Sequence, residues 1–206
     1  MAQITAKDVK ALRDATGAGM MDCKKALAEA NGDLDAAKRI LREKGLADAA
    51  KRTGRTASEG IIYTYLHRPD PNYPPKLGVM LELNCETDFV AKTEAFERLA
   101  KDVAMHISFA DPSWTDRSEV PQNVIDEESS IYAKQAKDSG KPDKVIEKIV
   151  QGKLESFYKE SVLSDQEWIQ DKTKTIATLI DEAKASMGEN ISIGRFCRIR
   201  VGESQT

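Results

Sequence analysis

An α+β fold is predicted for this chain of 206 residues, on three observations. Gly60–His67 (GIIYTYLH) is β-branched and aromatic. Leu77–Cys85 and Ile191–Val201 alternate apolar and other residues with the period of two that a pleated strand imposes. Helix-periodic segments fill the stretch between the second and last of these, and a small helical module precedes them all. Two neighbouring strands, a set of helices and a final strand describe a small, about three-stranded antiparallel sheet packed with helices.

The leading module follows from its caps. Thr5 is a good N-cap, Asp8 three residues on approximates a capping box, and Ile4 and Val9 occupy the staple positions around it. Gly17 and Gly19 favour a tight turn after the first helix. Met20, Cys23, Leu27 and Ala30 then form one apolar stripe of a second helix, which places Met20 towards the module's own core. Asp33 caps a third helix carrying Leu34, Ala37, Ile40 and Leu41; Gly45 fits its C′ position, with Leu46 touching Leu41. Met21 falls off the stripe towards Lys24 and Lys25. A flexible thioether there suits an adaptable binding surface, and equally an edge of a small core. The Gly17-x-Gly19 pair lacks the further glycine, the preceding strand and the Gly-Lys-Ser/Thr ending of a phosphate loop.

Residues 46–60 turn progressively small and polar, helical at first and a flexible connector after. In the second strand Val79, Leu81, Leu83 and Cys85 share a face. In the last, Ile191, Ile193, Cys197, Ile199 and Val201 do so, with Arg198 and Arg200 opposite. Between them one helix carries Phe96, Leu99, Val103 and His106 on a face. Others begin at Pro121 and near Pro142, and a fourth spans Lys172–Met187 and ends at Gly188.

Composition excludes several classes. Charged residues are 32% of the chain and the net charge is -3. No apolar run approaches the roughly 20 residues of a membrane span, and the segment MAQITAKDVKALRD lacks the apolar core of a signal peptide. Cys23, Cys85 and Cys197 lie far apart, as expected of free thiols in a reducing cytoplasm. Residues 1–58 hold 12 Lys and Arg against 8 Asp and Glu, the rest 19 against 26. A basic head of that size is compatible with an RNA- or ribosome-associated factor, but it lacks the interleaved aromatics of a nucleic-acid surface. Catalysis finds no support. His67 and His106 stand apart from any acid or nucleophile, and His106 lies on an apolar helix face. No metal-ligand spacing, nucleophile elbow or activated cysteine occurs, so no catalytic residue, metal or cofactor is expected.

The segment Asn84–Thr93 (NCETDFVAKT) joins a strand to a helix. Asp88 after Thr87 suits a first helical turn, where carboxylates meet free N–H groups. On propensity alone Phe89 plugs the core where helix meets sheet.

The runs TGAGMMDCKKALAEANGDLDAAKRILREKG and NCETDFVAK, in that order, resemble the translation elongation factor Ts family; GKPDKVIEKIVQGKLESFY and GENISIGRFCRIRVGE extend the resemblance over nearly the whole chain. The resemblance implies a ubiquitin-associated-like (UBA-like) three-helix module over residues 1–46, a linker over 47–60 and a core domain over 61–206, with a helical insert at about 121–170. It implies a guanine-nucleotide exchange factor for elongation factor Tu, without chemistry of its own. In the family the TDFV segment intrudes on the GTPase and disturbs its magnesium site. Here those residues are Thr87, Asp88, Phe89 and Val90, with Arg13, Met20 and Met21 as a second grip from the module. The resemblance thus turns Phe89 outward. Mg²⁺ demands near-ideal octahedral geometry, so a small displacement around it weakens its binding. Longer members carry a doubled core and an inserted coiled coil. This chain has one sheet, and a homodimer with the last strand, Cys197 included, near the contact would complete it.

Overall fold

Thr5 opens the first helix in the computed structural model, which describes residues 4–203 apart from the Leu46 side chain. Its hydroxyl accepts from the Asp8 amide while the Asp8 carboxylate accepts from the Thr5 amide, the reciprocal capping box that the sequence predicts. α1 (Ala6–Thr16) ends at Gly17, whose φ of 68° is the left-handed closure that glycine adopts without strain. α2 (Met20–Glu29) follows. α3 (Leu34–Arg52) is capped by Asp33, whose carboxylate accepts from the amides of Asp35 and Ala36. Val9, Leu12, Cys23, Ala26, Leu27, Ala37 and Leu41 form the buried core of the three helices, with Ile4 against it.

Three expectations for this module are corrected. α3 does not stop at Gly45 but continues to Arg52. A Cβ at Gly45 would stand 3.1 Å from the Cβ of Ala185 in α8 (Ile176–Met187), so this glycine serves close helix approach rather than termination. The expected contact of Leu46 with Leu41 rests on a side chain outside the described residues. Leu34, the first residue of α3, is exposed, since no second turn precedes it to be covered. Met20 is likewise exposed, at 56%: it is the first residue of α2, and the buried part of its stripe begins one turn later at Cys23.

The described residues gather into two compact units. One holds the chain up to Gly60 with Asn84–Thr93 and Thr178–Ser192; the other holds Ile61–Leu83, Glu94–Ala177 and the chain from Ile193 on. The second unit carries most of an antiparallel sheet in the order β1-β2-β5, from β1 (Glu59–His67), β2 (Leu77–Cys85) and β5 (Ser192–Arg200). It also carries α5 (Glu94–Ala110), the helix pair α6 (Gln122–Asp138) and α7 (Asp143–Ser161), and, correcting the expectation of a single sheet, a second, two-stranded sheet of β3 (Glu167–Trp168) and β4 (Asp171–Thr175). Pro121 is the N-cap of α6, one residue before the N1 position expected of it, and Pro142 is the N-cap of α7, near which that helix was expected to begin. Lys172–Thr175 are strand, not the first turn of the last helix. The run DKTKT pairs with Glu167–Trp168, and α8 begins only at Ile176.

Alternation holds in β2, where Val79, Leu81, Leu83 and Cys85 are buried and Met80 is exposed. It inverts in β5. Cys197, Ile199 and Val201 face solvent, and Arg198 turns inward with only 10% of its side chain exposed. The inward guanidinium is satisfied: it lies 3.1 Å from Asp111 and 2.7 Å from Glu203, and donates to the Ser108 carbonyl near the C-terminus of α5. A charge so paired tolerates removal from water, and a cation suits the negative end of a helix.

α5 buries Phe96, Leu99, Val103 and His106, as its periodicity predicts. His106 Nε2 lies 3.0 Å from the Gln166 side-chain oxygen, and Nδ1 accepts from the Ile169 amide at 3.3 Å, which places the proton on Nε2. Burial lowers its pKa below 6.5, against a smaller opposing effect of the Gln166 bond. The neutral ring therefore stabilises the fold fully above the unfolded value, and that contribution drains away as pH falls through the lowered folded value. Thermal melts between pH 7 and 5 should show a loss of stability that His106→Gln reduces. An equal loss in both proteins would contradict the assignment.

Candidate functional site

The corner after β2 lies in the first unit and is built from backbone amides and two carboxylates. Thr87 sits in extended conformation (φ -131°) as N-cap of α4 (Asp88–Ala91), a single turn. Its hydroxyl accepts from the Val90 amide at 3.5 Å and donates to a Glu189 oxygen at 2.5 Å. The other Glu189 oxygen accepts from the amides of Glu86 and Thr87, both at 3.0 Å. In return the Glu86 carboxylate accepts from the Asn190 amide at 2.6 Å and lies 3.6 Å from the Arg55 guanidinium. The Asn190 side chain donates to the Arg55 carbonyl at 2.7 Å, tying the residues after α3 to the same cluster. Carboxylate oxygens accepting backbone N–H groups in this way form strong, short hydrogen bonds.

Cys85 is fully buried beneath the corner, its thiol donating to the Thr87 carbonyl at 3.1 Å. Burial, reinforced by the Glu189 charge, pushes that thiol upward in pKa, which makes it a small apolar filler rather than a nucleophile.

What the corner displays is Phe89. Its side chain is 78% exposed, so the expectation that it plugs the core is corrected: α4 has no buried residue. Beside it Asp88 pairs with Lys92 at 2.5 Å. The Lys92 hydrogen bond lowers the Asp88 pKa, and Asp88 raises that of Lys92. Val90 is half-buried. The site therefore presents a bare aromatic ring flanked by a carboxylate on a short, fixed turn.

The same unit carries the second set of expected residues. Arg13 is exposed in the last turn of α1, and Met20 and Met21 are 56% and 64% exposed at the start of α2. α8 supports both sets. A Cβ at Gly17 would lie 3.2 Å from the Ser186 hydroxyl, Arg52 donates to the Lys184 carbonyl, and Lys184 reaches Thr53. One turn later, after Gly188 (φ 79°), the chain delivers Glu189 and Asn190 to the corner. Glu86, Glu189, Asn190 and Arg55 were missed by sequence reasoning, because the partners in these bonds lie up to 135 residues apart and no local pattern pairs them.

Among the described residues no three His, Cys, Asp or Glu side chains gather as a metal-binding group, and no helix is long and apolar enough to cross a membrane.

Comparison with known proteins matches residues 3–203 to the family described as Elongation factor TS. The chain is 54% identical over 201 residues to Elongation factor Ts of Fervidobacterium nodosum, covering 98% of this chain and all of that protein. It is 50% identical over 204 residues to Elongation factor Ts of Frankia alni, covering 99% and 100%. Over 200 residues it is 54% identical to the protein of that name in Syntrophomonas wolfei, covering 97% and 91%. A family match along almost the whole chain, together with relatives of the same length at half identity or better, means that the chain belongs to the elongation factor Ts family.

Proposed function

We propose that this protein binds elongation factor Tu in its GDP form, disturbs the Mg²⁺ site with the Thr87–Val90 corner and so speeds GDP release, allowing GTP to bind. Family membership carries the coarser statement, that it is a nucleotide exchange factor of translation elongation. The observation that supports the finer one is Phe89, a large aromatic 78% exposed on a hydrogen-bonded turn. An aromatic anchor entering a partner's pocket can contribute about 2 kcal/mol or more. Asp88 adds a carboxylate beside a site that binds Mg²⁺ through oxygen ligands. Arg13, Met20 and Met21 form a second grip, since exposed thioethers adapt to a partner's surface. Because weakening is reciprocal, GDP weakens the factor as much as the factor weakens GDP, which releases the factor for another cycle. The UBA-like module of residues 1–46, the linker 47–60 and the core domain 61–206 with its helical insert at about 121–170 are the division of labour we propose, in the cytoplasm and without direct contact to nucleic acid.

The outer face of the sheet supports homodimerisation as well. Leu66 lies over Gly78, where a Cβ would approach its terminal carbon to 3.0 Å, and Arg195 pairs with Glu82 at 2.9 Å. These contacts put Ile62, Leu66, Met80, Cys197 and Ile199 on one face, and all five are exposed. A largely apolar sheet face, crossed by the Arg195–Glu82 ion pair, is an association surface.

Stopped-flow release of labelled GDP from elongation factor Tu tests the exchange reading. Phe89→Ala should lower the maximal release rate about thirtyfold, the equivalent of one anchor, while thermal melting stays unchanged. Asp88→Asn separates charge from turn geometry: a loss near that of Phe89→Ala assigns the effect to charge. A wild-type rate in Phe89→Ala would reject the assignment of Phe89. For the dimer, sedimentation at micromolar concentration should give a dimer that Ile62→Glu/Ile199→Glu converts to monomer; a wild-type monomer would contradict it.

A further inference from the structure

We infer that Glu189 and Glu86 are positioning residues for exchange, locking the Phe89 corner in its presenting geometry before any partner arrives. The inference deepens the exchange reading and rests on it. Phe89 itself has little packing to hold it, because it is 78% exposed and no residue of α4 is fully buried. A four-residue helix has almost no stability of its own. The direction of the ring is therefore set by the backbone of residues 86–90, and that backbone is held from outside.

Glu189 provides most of the hold. It takes three donors from two consecutive residues: the Glu86 and Thr87 amides on one oxygen and the Thr87 hydroxyl on the other. The hydroxyl has one proton. Giving it to Glu189 leaves the oxygen's lone pairs free for the Val90 amide, so the carboxylate also sets the helix cap one step removed. Glu86 closes the loop from the other side by accepting from the Asn190 amide. Each carboxylate thus fixes the other's main chain, and neither segment can rotate without breaking bonds of the other. Gly188, in left-handed conformation at the end of α8, makes the turn that brings Glu189 there.

A carboxylate is needed rather than any acceptor. Three donors converge on two oxygens, and a glutamine would turn an NH₂ group towards at least one of them. The corner would then relax without losing its apolar core. Misplacement of a positioned group by about an ångström can cost up to roughly a hundredfold in rate.

The test is GDP release from elongation factor Tu measured against factor concentration, for wild type, Glu189→Gln, Phe89→Ala and the double variant. Glu189→Gln should lower the maximal release rate about tenfold or more and leave the half-saturating concentration within about twofold, since Arg13, Met20 and Met21 are untouched. A merely structural role would give the opposite: fewer active molecules, hence a raised half-saturation with the maximal rate preserved and a lower melting midpoint. The double variant should be no slower than Phe89→Ala alone, because Glu189 acts through Phe89. Multiplying effects would overturn the inference, as would an unchanged maximal rate in Glu189→Gln while Phe89→Ala is impaired. If Phe89→Ala releases GDP at the wild-type rate, the exchange reading of Phe89 and this inference both fall. Should Glu189→Gln melt early, Glu86→Gln, which loosens the corner from its other side, takes its place with the same expected signature.

Discussion

The exchange of hydrogen bonds between Glu189 and the backbone of Glu86 and Thr87, returned by Glu86 to Asn190, is the contact on which the geometry of the Phe89 corner depends. It joins two chain segments a hundred residues apart, one following β2 and one following α8. A turn as short as α4 cannot supply its own rigidity. With the two carboxylates in place, every amide from Glu86 to Val90 with a partner in the cluster is drawn into one bonded unit. An exposed aromatic ring on such a frame loses little conformational freedom on binding, and preorganisation of this kind raises affinity by lowering what binding must overcome.

α8 is the frame's base. Its small residues Ala185 and Ser186 accept Gly45 and Gly17 at near contact, and its C-terminal turn supplies Glu189 and Asn190. The exposed methionines of α2 and the exposed phenylalanine of α4 thereby belong to one compact unit. In the proposed complex, two contact sets on one body would bind with the second engagement already positioned by the first. In the other unit the inward Arg198, paired with Asp111 and Glu203, leaves Cys197 and Ile199 on an outer sheet face shared with Ile62, Leu66 and Met80 and crossed by the Arg195–Glu82 ion pair.

Much of this was legible in the sequence where the signal is local. The Thr5–Asp8 box, the Asp33 cap, the alternation of β2 and the buried face of α5 depend on neighbours within a turn or a strand, and the structure has them as expected. What escaped depends on distant chain. Gly45 has the sequence context of a helix end, yet it marks the point where Ala185 comes close. β5 alternates cleanly, but the face carrying Cys197 and Ile199 is the exposed one, while Phe196 and Arg198 turn inward and Arg198 finds Asp111, Glu203 and the Ser108 carbonyl there. Met20 obeys the stripe and is still exposed, because the module's core ends before the first turn of α2. Phe89 is the case that matters most. Propensity buries it, the motif turns it outward, and the reason it can stay outward in the free protein lies in Glu86 and Glu189, which no spacing rule connects.

Amide hydrogen exchange in the free protein tests the central claim most directly, since it reports whether the corner is fixed before a partner binds. The amides of Glu86, Thr87 and Asn190, which donate to the two carboxylates, should exchange slowly in the wild type and lose that protection together in Glu189→Gln. Exchange of these three amides at the rate of an open loop in the wild-type protein would contradict the account.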